Sequence, residues 1–237
     1  MRFLNLGCGN TTLPLGDGED RPPQFRPLDD SVFDSEIEWI NLDIRPANDQ
    51  VTKMDLFWYP WGLESNAYDG ALLSHICEHI PHEPKIRGWH SLWSGELGVG
   101  EEAERFHDLT NAVDGWFCFF AELWRVLKPD AVVHILSPHA FSLQGVADPS
   151  HTRYLVPMSF AHSMGIREVE KMYGGKPFEY HLPYDFAYHS PTLVSENRSD
   201  ELANAGLGDF SKNLVGGITE FYIKLSVDKA GGDTAAP

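Results

Sequence analysis

The chain opens on an apolar run, Arg2-Phe3-Leu4-Asn5-Leu6, that passes straight into Gly7-Cys8-Gly9-Asn10. A short apolar stretch closed by glycines predicts a buried strand ending in a tight loop. Glu38-Trp39-Ile40-Asn41-Leu42-Asp43 and Gln50-Val51-Thr52-Lys53-Met54-Asp55 repeat the pattern, each ending on a carboxylate. Tyr68 to Ser74 is a further strand-like run, and it leads into His75-Ile76-Cys77-Glu78-His79. The period then changes. Val113, Trp116, Phe117, Phe120, Leu123, Trp124 and Leu127 recur at helical spacing, with Asn111 placed to cap. This aromatic stripe predicts a helix facing the core. Lys128-Pro129-Asp130 turns the chain into another strand, Ala131 to Ser137. Short helices are expected near 157–164, near 166–173 and over Glu201 to Ala205. Ile218 to Val227 alternates and predicts a final, partly exposed strand. Alternation of strand and helix over residues 2–137 argues for a mostly parallel α/β sheet.

Two stretches interrupt this pattern. Residues at about 11–37 are rich in Pro, Gly and Asp, and residues 84–109 hold tryptophans, glycines and the acidic run Glu101-Glu102-Ala103-Glu104. We read both as insertions in a single domain spanning 1–227, with 228–237 as a flexible tail. Composition narrows the field. The 18 basic and 35 acidic residues give a net charge of −17, which repels phosphate backbones and makes nucleic acid an unlikely partner. Cys8, Cys77 and Cys118 have no metal-site spacing, and so few thiols suggest a cytoplasmic protein with reduced cysteines. No run is long and apolar enough for a transmembrane helix. A first strand starting at residue 2 leads us to expect no signal peptide.

Several segments then coincide: Leu4-Asn5-Leu6-Gly7-Cys8-Gly9, Asn41-Leu42-Asp43, Met54-Asp55-Leu56, Tyr68-Asp69-Gly70 through His79, and Leu123-Trp124-Arg125-Val126-Leu127-Lys128-Pro129. Their order and character resemble class I S-adenosylmethionine-dependent methyltransferases of the broad type 11 kind. Asp148-Pro149-Ser150-His151-Thr152-Arg153-Tyr154 also looks like a segment of some bacterial and phage members. The resemblance implies a Rossmann-like, mostly parallel seven-stranded sheet with helices on both faces and the last strand antiparallel. It implies S-adenosylmethionine as cofactor and transfer of its methyl group to an acceptor. Leu6, Gly7, Cys8 and Gly9 would form the cofactor loop. Asp43 would accept the ribose hydroxyls, Asp55 and Leu56 would face the adenine, and Ser74 would line the cofactor. The chain departs from the family's usual pattern at Asn5, where an acidic residue is common, and at Thr11, where a small residue is.

The acceptor is expected to be a small molecule, a sugar or another metabolite, and the protein a monomer or homodimer. Ser137 ends a strand on the same side as Gly7, Asp43 and Ser74, so the segment after it should close the acceptor site. His75 and His151 are the candidate catalytic residues; His79, His139, Arg153 and Tyr154 are candidates for substrate contact. A competing reading exists. His75-x-x-Glu78-His79 matches an inverted zinc-peptidase pattern, in which a helix presents both histidines to a metal and the glutamate acts as base. Pro81 would end such a helix within two residues, so the expectation is a protein without a metal ligand set. A third alternative is a catalytically inactive methyltransferase-fold binding module.

Overall fold

The computed structural model describes residues 1–15, 25, 28, 30–86, 114–163, 184–189, 191–194 and 219–229. The main sheet contains β1 (Arg2–Leu6), β2 (Glu38–Asp43), β3 (Val51–Lys53), β4 (Tyr68–Ser74), β5 (Leu127–Pro138), β6 (Phe186–Tyr188), β7 (Thr192–Val194) and β8 (Glu220–Val227). Their order is β3-β2-β1-β4-β5-β8-β6. Strands β1 to β5 run parallel to their neighbours, and β8 is antiparallel to β5. This is a mostly parallel Rossmann-like sheet with its last strand reversed. The expected seven strands become eight, because the final edge position is shared. Strand β6 pairs with one end of β8 at Val227, and β7 with the other at Glu220.

Alternation along each strand sorts side chains to two faces. Leu4, Leu6, Ala71, Leu73, Val133, Ile135, Phe221, Ile223 and Leu225 face the larger core. Phe3, Leu72, Leu136 and Tyr222 face a second one, with Phe25, Leu28, Val32 and Ile37. The larger core is roofed by α1 (Gly115–Val126), which buries Trp116, Phe119, Phe120 and Leu123. Each such aromatic contributes roughly 1.5–3 kcal/mol by leaving water. The second face is covered by Phe25, Leu28 and a 3-10 turn at Asp30–Phe33. A first crossover without a clear α-helix pattern thus still supplies an apolar layer.

Three expectations change. Helix α1 is capped by Asp114, whose carboxylate accepts from Trp116 N–H, while Asn111 and Val113 lie outside the described residues. Strand β5 begins at Leu127 directly after the helix, with Asp130 at φ 62° marking the bend. Strand β8 is buried rather than partly exposed, because it is paired along both edges. Most of the 84–109 stretch and the helices expected at 166–173 and 201–205 lie outside the described residues.

The Arg125 to Pro129 turn has a local physical basis. Arg125 forms a two-point ion pair with Glu122, at 2.9 and 2.8 Å, and donates to Leu63 and Trp61 carbonyls. Lys128 reaches Asp69 at 2.7 Å. These contacts fasten the helix-to-strand corner at the end of the sheet opposite the site.

Candidate active site

In a parallel sheet of this kind, ligands bind beyond the carboxyl ends of the strands. Four of the loops predicted to carry chemistry emerge there, after β1, β2, β4 and β5. Gly7 and Gly9 take φ of +67° and +54°, a region that costs little only for glycine. Their roles differ. A Cβ on Gly7 would lie 2.5 Å from Ile76 Cδ1, so Gly7 lets two loops approach closely. A Cβ on Gly9 would meet nothing within 4 Å, so Gly9 leaves its backbone open. Gly9 N–H donates to Asp43 Oδ2 at 2.9 Å, and Arg45 N–H to Asp43 Oδ1 at 2.7 Å. Loop and carboxylate therefore form one unit, and each oxygen of Asp43 keeps acceptor capacity for a diol.

Beneath it, Asn5 is part of a buried amide network. Asn5 Nδ2 donates to Asn41 Oδ1 at 2.8 Å and to the Thr11 carbonyl at 3.0 Å. Asn41 in turn exchanges hydrogen bonds with both backbone groups of Leu13. An amide can donate and accept where a carboxylate only accepts, so the pair is satisfied while buried. Cys8 is buried, and burial with the nearby Asp43 charge pushes its thiol up to about 11, which makes it a poor nucleophile.

Asp55 follows β3 and caps a turn, accepting from Phe57 N–H at 3.0 Å, and its other oxygen lies 3.5 Å from Lys85 Nζ. Leu56 is buried in the larger core, and its carbonyl accepts from the Trp61 indole at 2.9 Å. That carbonyl is thereby engaged in the core. Leu6 also points into the core, leaving only its backbone near the loop. Ser74 sits half-buried at the end of β4.

His75 is the strained point of the site. It has φ +54° and donates its N–H to the Leu136 carbonyl. Non-glycine residues in this region are held there by their surroundings, and they gather at functional sites. The His75 ring spans two buried glutamates: Nε2 lies 3.2 Å from Glu220 Oε1 and Nδ1 lies 3.5 Å from Glu78 Oε1. Burial opposes the charge on this imidazole. The Glu220 and Glu78 carboxylates facing its two nitrogens outweigh it and raise the pKa to about 10. His75 is therefore an imidazolium at neutral pH, a donor rather than a base. Glu78 Oε2 accepts from Ser137 Oγ at 3.3 Å, and Glu220 Oε2 has no partner among the described residues. Sequence reasoning took Glu78 only as part of the zinc pattern and missed Glu220. Glu220 lies 145 residues from His75 along the chain, and only the reversed β8, pairing Glu220 with Pro138, brings it there.

The segment after β5 folds back onto this cluster. Thr152 and Arg153 N–H groups donate to the Glu78 carbonyl, and Ala140 N–H to the Leu155 carbonyl. Helix α2 (Leu143–Ala147), capped by Ser142, and α3 (Pro157–Ser163) frame the segment. His139 is buried against Phe221, and burial holds its pKa below the usual histidine value. Arg153, a candidate for substrate contact, is tied to the protein through several groups. It donates to Ile80 and Pro81 carbonyls, pairs with Asp114 and lies over Trp116, which makes it a brace. Tyr154 is 63% exposed, at the outer rim. His79 and His151 stack edge to face with centroids 4.8 Å apart.

The zinc-peptidase arrangement does not form. His75 lies outside any helix, Cys77–His79 is a single 3-10 turn, and the rings of His75 and His79 reach different partners. His75 faces Glu220, and Glu78 binds Ser137 rather than serving as base to a metal between the two histidines.

The mostly parallel sheet with its reversed β8 is the architecture that the sequence resemblance implied, and the glycine loop and Asp43 lie together at the carboxyl ends of β1 and β2. Solved structures with a similar chain path include an S-adenosylmethionine-dependent methyltransferase from Archaeoglobus fulgidus. It is 16% identical, covers 95% of this chain and 85% of its own, and has a TM-score of 0.43. Another, from Mesorhizobium loti, is 12% identical over 95% of this chain and 90% of its own, with a TM-score of 0.45. The YcgJ protein of Bacillus subtilis is 10% identical over 96% and 91%, with a TM-score of 0.44. No family model and no curated protein matches the sequence.

Proposed function

We propose that the protein is an S-adenosylmethionine-dependent methyltransferase of the cytoplasm, acting on a small hydroxylated acceptor such as a sugar or another metabolite. The observation that carries this reading is the open Gly9 backbone hydrogen-bonded to Asp43 at the carboxyl ends of β1 and β2. The residues present fit the cofactor: a loop without side-chain bulk beside a carboxylate with spare acceptor capacity. When bound, the cofactor supplies an electrophilic methyl group on a sulfonium. The chain supplies position and proton handling. Holding two reactants in line can contribute roughly 7–11 kcal/mol. The His75 imidazolium, its two N–H groups turned to Glu78 and Glu220, would stabilise negative charge developing on an acceptor oxygen. The unpartnered Glu220 Oε2 would take the proton that a hydroxyl acceptor releases.

Calorimetry with S-adenosylmethionine and S-adenosylhomocysteine tests the reading. Wild type should bind both, and Asp43→Ala should weaken binding by about 1.5–3 kcal/mol, the cost of losing a charged hydrogen-bond partner. No binding of either ligand would overturn the methyltransferase reading. Binding without turnover on any acceptor would leave a binding module.

A further inference from the structure

Beside the His75 cluster, with which it shares Glu78, a second group of side chains comes together. Glu78, His79 and His151 each offer a ligand atom, and these atoms lie within 4.8 Å of one another. The two histidines come from elements far apart in sequence, the turn after β4 and the segment after β5. Both rings are oriented in the same way. His79 Nδ1 faces the Ser150 carbonyl at 3.2 Å, with Ser150 Oγ at 3.4 Å, and His151 Nδ1 faces the Gly145 carbonyl at 3.0 Å. A carbonyl can only accept, so it keeps the proton on Nδ1 and leaves Nε2 as a lone pair. This is the arrangement that metal-binding histidines adopt toward their backbone supports.

The carboxylate provides an independent sign. Glu78 is 1% exposed, and its Oε1 has no hydrogen-bond partner among the described residues. The His75 ring lies 3.5 Å from that oxygen, an ion-pair distance without hydrogen-bond geometry. His75 balances the charge of that oxygen, and its open lone pair leaves a buried carboxylate able to take a further ligand. Asp148 adds to the set. Its Oδ2 lies 3.8 Å from His151 Nε2, while Oδ1 is occupied by Ser150.

We propose that Glu78, His79 and His151 form a binding site for a divalent first-row transition-metal ion, with Asp148 as a further ligand or charge partner. Two imidazoles and a carboxylate are a borderline donor set. They favour ions such as zinc or manganese over calcium and magnesium, which prefer oxygen throughout. Ligand atoms in a tetrahedral site with bonds of about 2.1 Å stand about 3.4 Å apart, so binding would draw the three side chains inward by side-chain rotation. Three protein ligands leave a position for water or an acceptor oxygen. The site would tie the turn after β4 to the segment after β5, beside the proposed chemistry. It differs from the peptidase pattern in its members: Glu78 is a ligand, and His75 is not one. The sequence-based expectation is of no metal ligand set; His151 lies 72 residues beyond His79, and linear spacing does not join them.

The site does not rest on the methyl-transfer reading, and its test is separate. Tag-free full-length protein is titrated with zinc or manganese ions by calorimetry. Wild type should bind one ion per chain. His79→Ala and His151→Ala should each weaken binding at least tenfold, and His189→Ala, at an exposed histidine remote from the cluster, should bind as wild type. Wild-type binding no tighter than in both cluster variants would overturn the proposal. Because a variant could fail to fold, X-ray absorption on zinc-loaded wild type gives a second readout. Two imidazoles with oxygen in the first shell are expected; a shell without imidazole, or with sulfur, would overturn the site. Cofactor affinity in the same samples reports on the methyltransferase reading alone.

Discussion

Arg153 and Asp114 show how a residue that looks chemical can be structural. Asp114 caps α1, receives Arg153 and lies 2.7 Å from His82 Nδ1. Its burial opposes ionisation, but the Trp116 N–H, His82 and Arg153 outweigh it and hold the carboxyl below its usual value near 3.8. Arg153→Ala removes the ion pair and leaves the Ile80 and Pro81 carbonyls without their donor. It should cost about 2–3 kcal/mol in chemical denaturation, since hydrogen bonds to charged groups contribute more than neutral ones. The pH dependence has a definite sign. With the folded value depressed, Asp114 contributes its stability in full above the usual carboxyl value and loses it as pH falls through the folded one. The stability gap between wild type and Asp114→Asn should therefore be widest near neutrality and close below about pH 3.8. A gap independent of pH would mean that the Asp114 charge does not stabilise the fold.

At the scale of elements, the glycine loop separates packing from ligand approach. Gly7→Ala forces a Cβ against Ile76 at a left-handed φ, and should destabilise the protein by more than the roughly 1–2 kcal/mol of backbone strain alone. Gly9→Ala carries the strain without a clash, but puts a methyl group into the open space beside Asp43. Thermal unfolding should therefore rank Gly7→Ala as the less stable, while calorimetry should show Gly9→Ala losing cofactor affinity at least tenfold. Equal cofactor affinity in Gly9→Ala and wild type would take the loop out of the site. The elements that were legible share a cause: β1, β2, β4 and α1 have strong local periodicity, and their boundaries fall within a residue or two of the pattern. The first crossover and the strands β6 and β7 were not legible, because their apolar positions follow no period in the sequence. The site divides likewise. Gly7, Gly9 and Asp43 stand at strand ends and could be found in sequence, whereas the Glu220 contact and the pairing of His79 with His151 depend on chain reversal and a fold-back.

The charge of the whole molecule argues about partners in a way no single contact can. A net charge of −17 sets a repulsive field for polyanions, and nucleic-acid affinity is largely the release of counterions by clustered Lys and Arg. Two described cations near the carboxyl ends of the sheet are already matched by carboxylates. Lys85 lies 3.5 Å from Asp55 Oδ2, and Arg153 pairs with Asp114. Neither offers a bare positive groove, so an acceptor carried on a long phosphate backbone would have to approach against the field. The same field favours small neutral acceptors and draws cations toward the site. Fluorescence anisotropy with labelled single-stranded DNA and RNA should therefore show only weak binding at physiological ionic strength, and that binding should vanish as salt is raised. Sub-micromolar binding under those conditions would mean that a local basic surface overrides the average, and would move the proposed acceptor from a metabolite to a nucleic acid.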